Sequence, residues 1–597
     1  MSSTVSVMEG EEVRKIEDWS LLGRLFTYLG RHKRLFFGAL ALYPLNALAV
    51  IVPPFCIQKI LDEVIPQHNL SMLKIWGGLY FAALVVEYFS GFFSQFAMSV
   101  LGQRGMRDLR SDLFHHVLRL PSSYHDKNTS GRTLTRLTND VENLGDVFAT
   151  GAVTIIGDII TLASVVGMML WLDVRLTLFS FLVVPPLFLL AWIFQKYARQ
   201  AFREIRVYIA RINAFLVEHI TGMNVVQVFG QEERSADEFT ELNNDYRKVT
   251  RKAILFDALL YAIVEAIGIM AIAALIWYGA SELSEGLVGA GTFVAFMAYI
   301  RRFFIPVRDL SQKFAILQSA FSAAERCFEL LDEPITIDSK DDAEGLDKVN
   351  QSIAVKNVSF AYREVDGEPD WILKNFNLEM KPGEKIALVG ATGSGKTTLL
   401  KLLNRFYDVQ SGSIELDGKN IKELELTSLR KLFAVVLQDV YLFSGSIREN
   451  LCLGDDIRHE DLERAAKAVQ VDDLIAKLPQ GYDTPVQHLG SNFSAGERQL
   501  LAFARALAVD PEILLLDEAT SSIDSETELR IQNALQVLLR DRSAIIVAHR
   551  LSTIKMVDRI FVIQNGEVVE SGSHAELVTQ NGIYKRLASL QFENEGG

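Results

Sequence analysis

Six long apolar stretches alternate with polar segments through the first half of the chain. They run roughly from Leu35 to Ile60, Ile75 to Val100, Ala149 to Leu172, Leu176 to Phe194, Leu255 to Gly279 and Gly289 to Ile305. A hydrocarbon layer about 30 Å thick takes about 20 helical residues to cross, so each stretch predicts a membrane-spanning helix. Polar segments of roughly 50 residues separate the second stretch from the third and the fourth from the fifth. These segments keep apolar residues at helical spacing, as at Leu109, Leu113, Val117 and Leu120, so the helices are expected to run on beyond the membrane. Past Glu333 the pattern changes. Short apolar runs, Lys385 to Val389 and Ile513 to Leu516, read as buried strands ending in polar loops, which is the pattern of an α/β domain. The expected fold is multi-domain: a leader at 1–34, an all-α six-helix transmembrane domain at 35–333, a linker at 334–350 and an α/β domain at 351–597.

Charge orients the spans. Lys and Arg concentrate in the leader (Arg24, Arg31, Lys33, Arg34), between Arg104 and Arg136, and between Lys196 and Lys252, and positive loops stay cytoplasmic. The connections near Asp62 and Glu63, at Leu172 to Arg175 and at Ser281 to Glu285 fall outside, so both termini are expected in the cytoplasm. The first apolar stretch is too long for a signal-peptide core. Ionisable residues within spans line a pathway or pair across the bundle, and Glu87, Asp158, Asp257, Glu265 and Arg301 are the candidates. Pro53–Pro54 and Pro185–Pro186 are expected to kink or break their helices. A net charge of -14, with no basic run away from the spans, argues against nucleic acid as a partner. The three cysteines, Cys56, Cys327 and Cys452, lie too far apart for a disulfide framework or a zinc motif and read as buried thiols.

The first apolar run of the α/β half leads into Gly390-Ala391-Thr392-Gly393-Ser394-Gly395-Lys396-Thr397-Thr398 and then a helix-like segment. This is G-x-x-x-x-G-K-[ST] in its required strand–loop–helix context, a phosphate-binding loop for ATP and magnesium. Gly390, Gly393 and Gly395 let backbone N–H groups turn inward, and Thr392, Ser394 and Thr398 complete the loop. Lys396 is expected to reach the β- and γ-phosphates and Thr397 to ligate Mg2+. The run Ile513 to Leu516 delivers Asp517 and Glu518 at its end, one to hold Mg2+ through water and the other to polarise the attacking water.

Between these motifs stands Phe493-Ser494-Ala495-Gly496-Glu497-Arg498-Gln499, ahead of an Ala- and Leu-rich segment. Here the whole chain resembles the ABC transporter superfamily, in the form of an exporter-type half-transporter of the bacterial multidrug and lipid-flippase kind. The resemblance implies an ABC ATPase domain of P-loop type. It implies that Tyr362 stacks on adenine, that Gln438 senses magnesium, that His549 is the switch histidine and that Asp524 lies at a dimer interface. It also implies that Ser494 and Gly496 close over ATP bound to a partner, so that the chain works as a dimer. Tyr124 to Gly131 and Glu218 to Phe229 are similar to the family's coupling helices, and Trp19 to Tyr28 to its amphipathic helix leading into the membrane.

Phe493, Ala495 and Glu497 depart from the family's Leu-Ser-Gly-Gly-Gln, so the composite site built with this signature is expected to hydrolyse poorly. Thr484 to Gly490 lacks the family's acidic contact to a partner coupling helix. Lys396, Asp517, Glu518 and His549 are all present. The expected partner is a second half-transporter with a regular signature and no catalytic glutamate; a homodimer is the alternative. The expected function is ATP-driven export or flipping of an amphiphile (drug, lipid or peptide), in a lipid bilayer that the resemblance and short leader make a bacterial inner membrane. The rival reading is an ATP-gated channel or regulatory subunit.

Overall fold

Apolar periodicity becomes helix along almost all of the described residues up to Asp332, and the mixed segment beyond it becomes sheet and helix. The computed structural model describes residues 19–147, 152–182, 184–284, 289–340, 342–517, 525–548 and 550–595. The chain forms two compact units. One takes in the chain up to Leu118 together with Gly131–Asp332; the other joins Arg119–Ser130 to the chain from Glu333 onward.

The helical elements are α1 (Trp19–Gly30), α2 (Lys33–Lys59), α3 (Leu70–Arg119), α4 (Ser122–Lys127), α5 (Ser130–Thr135), α6 (Val141–Asp146), α7 (Ala152–Leu172), α8 (Val174–Phe181), α9 (Val184–Thr221), α10 (Met223–Val228), α11 (Glu232–Ser284) and α12 (Ala290–Asp332). Among the described residues four helices are long and apolar enough to cross a membrane, over Lys33–Val64, Leu70–Arg119, Thr154–Leu172 and Glu232–Gly279. The fourth expected span is divided between α8 and α9, and the sixth is the N-terminal part of α12, where Arg301 and Arg302 interrupt the apolar run. At 50 and 53 residues α3 and α11 exceed twice the length that hydrocarbon requires. The periodic Leu109, Leu113 and Val117 are buried along the extension of α3.

Pro53 and Pro54 do not break α2, which runs through both to Lys59; the irregularity comes a turn later, as a π-helical turn at Ile60–Val64. Pro185 and Pro186 lie in the first described turn of α9, which runs on past both to Thr221. Two of the acids within the spans, Glu87 and Asp158, are paired. Glu87 accepts from both terminal nitrogens of Arg302 at 3.2 Å, while Nη1 also donates to the Val50 carbonyl at 2.6 Å, and Asp158 pairs with Lys313. The basic partner is thus Arg302, not the neighbouring Arg301, which the 100° turn per residue carries onto an exposed face. Glu265 is exposed, and Asp257 has its side chain outside those described.

In the second unit the strands are β1 (Ile353–Val365), β2 (Glu368–Met380), β3 (Lys385–Val389), β4 (Ser411–Leu416), β5 (Lys419–Asn420), β6 (Phe433–Val436), β7 (Gly445–Ser446), β8 (Pro485–Val486), β9 (Ile513–Asp517), β10 (Ser543–Val547), β11 (Arg559–Gln564) and β12 (Glu567–Gly572). An antiparallel sheet runs β2-β1-β4-β5, and a six-stranded sheet runs β12-β11-β3-β10-β9-β6, parallel except for β12. Its central strands β9 and β10 are buried at every position, as strands covered on both faces must be.

Candidate nucleotide-binding site

Parallel strands end at a common edge, and an α/β sheet binds its ligands outside that edge. Here the edge carries Val389 of β3, Asp517 of β9 and Val436 of β6, the last paired across from Leu516. The chain leaves β3 through 390–395 and enters helix α13 (Lys396–Leu403). Gly393 and Gly395 have φ of +82° and +102°, a region that L side chains avoid. A Cβ on Gly390 would meet the Ile563 carbonyl oxygen at 2.3 Å, and one on Gly395 would meet Leu373 Cδ2 at 2.5 Å. Gly390 and Gly395 have no room for a side chain and Gly393 holds a φ that disfavours one, and bare backbone at such positions is what cradles phosphate oxygens.

Lys396 is buried, and its Nζ donates to the carbonyls of Gly390 at 2.8 Å and Ala391 at 2.9 Å. Burial pushes its ammonium below the ordinary lysine value, and the charge of Asp517 works against that shift. Asp517 is itself buried at the end of β9, while Thr397 is exposed in the first turn of α13 and Thr392 is exposed on the loop. Ser394 and Thr398 are buried. Gln438 is exposed just past β6, on the same edge. Among the described residues no three His, Cys, Asp or Glu side chains gather to cage a metal. The Thr397 hydroxyl in the first turn of α13 and the Asp517 carboxylate at the end of β9 are oxygen donors of the kind that suits Mg2+, which keeps waters and takes most of its remaining ligands from a nucleotide. Glu518, Asp524 and His549 lie outside the described residues.

Tyr362, on β1, is exposed beside the loop, and its hydroxyl donates to Thr398 Oγ1 at 3.2 Å. Gln410 clamps the strand just before it, donating to the Ala361 carbonyl at 2.7 Å and accepting from the Ala361 N–H at 3.2 Å. Two residues outside the motifs also flank it: Tyr407, whose ring meets that of Tyr362 at 5.2 Å and 87°, and Lys401, whose ammonium lies 5.6 Å over the Tyr362 ring. An aromatic one turn past the phosphate-loop helix was the available signal for Tyr407.

Ser494 and Gly496 begin a separate helix, Ala495–Ala508. Ser494 is its N-cap: its hydroxyl accepts from the Glu497 N–H at 3.3 Å, and the Glu497 carboxylate accepts from the Ser494 N–H at 2.7 Å. This reciprocal arrangement accepts Glu or Gln alike at the third helical position, which gives Glu497 a local structural role. Phe493 is buried in the core, and a Cβ on Gly496 would come within 2.1 Å of Thr527 Cγ2.

The profile of the ABC transporter transmembrane region matches residues 36–307, and the ABC transporter profile matches residues 373–521. A Bacillus subtilis protein named as the uncharacterized ABC transporter ATP-binding protein YknV is 36% identical, over 98% of this chain and 96% of its own length. The ATP-dependent lipid A-core flippase of Syntrophus aciditrophicus is 35% identical, over 91% of this chain and 89% of its own. A solved bacterial Atm1-family ABC exporter with ATP bound superposes with a TM-score of 0.76, at 27% identity, covering 94% of this chain and 98% of that one.

Proposed function

Because the chain belongs to the ABC transporter superfamily, as an ATP-hydrolysing half-transporter of the exporter fold that dimerises in a membrane, we propose that it exports or flips an amphiphile with a lipid-like body. The observation that carries this reading is the glycine cradle around buried Lys396, on a sheet edge shared with Asp517, in a chain whose other unit is built of long apolar helices. Likeness to a lipid A-core flippase supports the lipid-like class. The setting is a bacterial inner membrane, with the ATPase unit and both termini in the cytoplasm.

In this reading backbone N–H groups of Gly390 to Gly395, with Thr392, Ser394 and Thr398, hold the phosphates, and Tyr362 stacks on the base. Lys396 draws its ammonium from the loop carbonyls onto the β- and γ-phosphate oxygens. Glu518 orients and deprotonates the attacking water, with His549 beside the γ-phosphate and Asp524 at the dimer interface. Thr397, Gln438 and, through water, Asp517 would hold magnesium, which when bound would supply positive charge to offset that of the phosphates. Ser494 and the backbone at Gly496 face ATP held by the partner. Ala495 and Glu497 add a methyl group and a carboxylate there, which supports pairing with a second half-transporter whose signature is regular and which lacks the catalytic glutamate.

The test is ATP-driven movement of a nitrobenzoxadiazole-labelled phosphatidylethanolamine in proteoliposomes that hold the chain with its co-purified partner. Movement that needs ATP and stops with Glu518→Gln is the expected result. ATP turnover that the labelled lipid neither stimulates nor follows in stoichiometry would contradict the export reading.

A further inference from the structure

The nucleotide site and the tip of the first cytoplasmic loop meet through a chain of side chains in the second unit. The chain of contacts begins at Tyr362, whose exposed ring flanks the phosphate loop and offers a face to a nucleotide base. Tyr407, nearly fully buried, stands at right angles to it, and both rings meet Phe360, at 4.9 and 5.5 Å. The Tyr407 hydroxyl donates to Asp126 on α4. Lys401 lies between the same two ends, with its ammonium 5.6 Å over the Tyr362 ring and 3.9 Å from Asp126 Oδ2. Tyr124 on α4 is buried, and Arg119 reaches Asp338 at 2.6 Å, although the chain on either side of Arg119–Ser130 belongs to the helical unit. Burial and then the Asp126 hydrogen bond push the Tyr407 hydroxyl above its ordinary value, so it remains a proton donor at any physiological pH.

We propose that Tyr407 is a positioning residue through which a base stacked on Tyr362 tightens α4 onto the ATPase unit. A stacked base limits rotation of the Tyr362 ring and with it the rotation of Tyr407, which shares its edge. The base also takes up the ring face that Lys401 covers, so the ammonium moves toward Asp126 and strengthens the ion pair with α4. Phosphates alone fill the glycine loop and touch neither ring. The segment Arg119–Ser130 therefore reports on the base of the nucleotide, and the loop at 390–398 reports on its phosphates. This inference rests on the nucleotide-binding reading of the site.

The experiment is hydrogen exchange of the full chain in lipid nanodiscs, with ATP compared against inorganic tripolyphosphate, which carries no base. Both probes slow exchange at 390–398, and only ATP slows exchange at 119–130, by about five-fold, the change that one hydrogen bond of ordinary strength gives. Tyr407→Phe and Asp126→Ala lose that ATP-specific protection while 390–398 stays protected, and Asp126→Asn, which keeps an acceptor oxygen, retains part of it. The inference is overturned if tripolyphosphate protects 119–130 as strongly as ATP does, or if Tyr407→Phe keeps the difference. Absence of protection at 390–398 with either probe overturns the nucleotide reading itself, and this inference with it.

Discussion

At position 496 the backbone approaches its neighbour so closely that a hydrogen is all it can carry: a Cβ would fall 2.1 Å from Thr527 Cγ2. Thr is β-branched and stiff at χ1, so Gly496→Ala is expected to destabilise the signature helix by about 1–3 kcal/mol and to lower ATP turnover. Thr527→Ser removes the methyl and keeps the hydroxyl, so the double variant recovers much of the loss; equal activity in the single and double variants would contradict the steric account. Asp417 gives a pH dependence. Burial alone would raise its carboxyl, but the N–H groups of Asn350, Gln351 and Ser352, at 2.8, 2.7 and 3.1 Å, hold it below the ordinary carboxylate value. A depressed carboxylate contributes its full stability above its unfolded value, near 3.9, and loses it as pH falls through the lower folded value. Asp417→Asn turns an N–H toward a backbone N–H and is expected to cost about 1–2 kcal/mol at neutral pH. In thermal melts of the full chain the gap to the unsubstituted protein then narrows below about pH 4. Residues of this kind set the limit of reading from sequence. The phosphate loop is legible because its parts are contiguous, whereas Tyr407 and Asp126 are 281 positions apart and no local pattern joins them.

Among the elements, α12 begins on a clamp. Asp62, just past α2, accepts from the N–H groups of Gly291 and Thr292 at 2.6 and 2.9 Å and from the Thr292 hydroxyl at 3.1 Å, while Gly289 and Gly291 leave no room for a Cβ beside it. A carboxylate there satisfies donors that the first turn of a helix leaves unpaired and complements its dipole. Asp62→Ala is expected to weaken the first turn of α12 by about 1–2 kcal/mol, seen as faster hydrogen exchange at 290–294 with exchange in α3 unchanged. Unchanged exchange at 290–294 would contradict the clamp. Apolar runs and their periodicity made the long helices legible. The Asp62 partners 229 and 230 positions away were not. Nor was the choice of Arg302 over Arg301 for Glu87, which depends on helical phase that a run of apolar residues does not fix to one position.

At the scale of the whole molecule, the order of motifs along the chain made the family legible, because each unit is nearly continuous in sequence. The proposal of a distinct partner rests only on what this chain departs from. Its phosphate loop, Asp517 and Glu518 match the pattern expected of a catalytic side, and its Phe493-Ser494-Ala495-Gly496-Glu497 departs from the family's where the proposal has it face a partner's ATP. In a homodimer both composite sites would carry the altered signature; in a heterodimer one site joins this chain's catalytic side to a regular signature. The direct measurement is ATP hydrolysis by the purified chain in lipid nanodiscs, with Glu518→Gln as the blank and the mass of the assembly determined in parallel. The account predicts negligible turnover from the chain alone, and turnover that Glu518→Gln abolishes once a second half-transporter is co-expressed. Robust Glu518-dependent turnover from an assembly with the mass of a homodimer would contradict it.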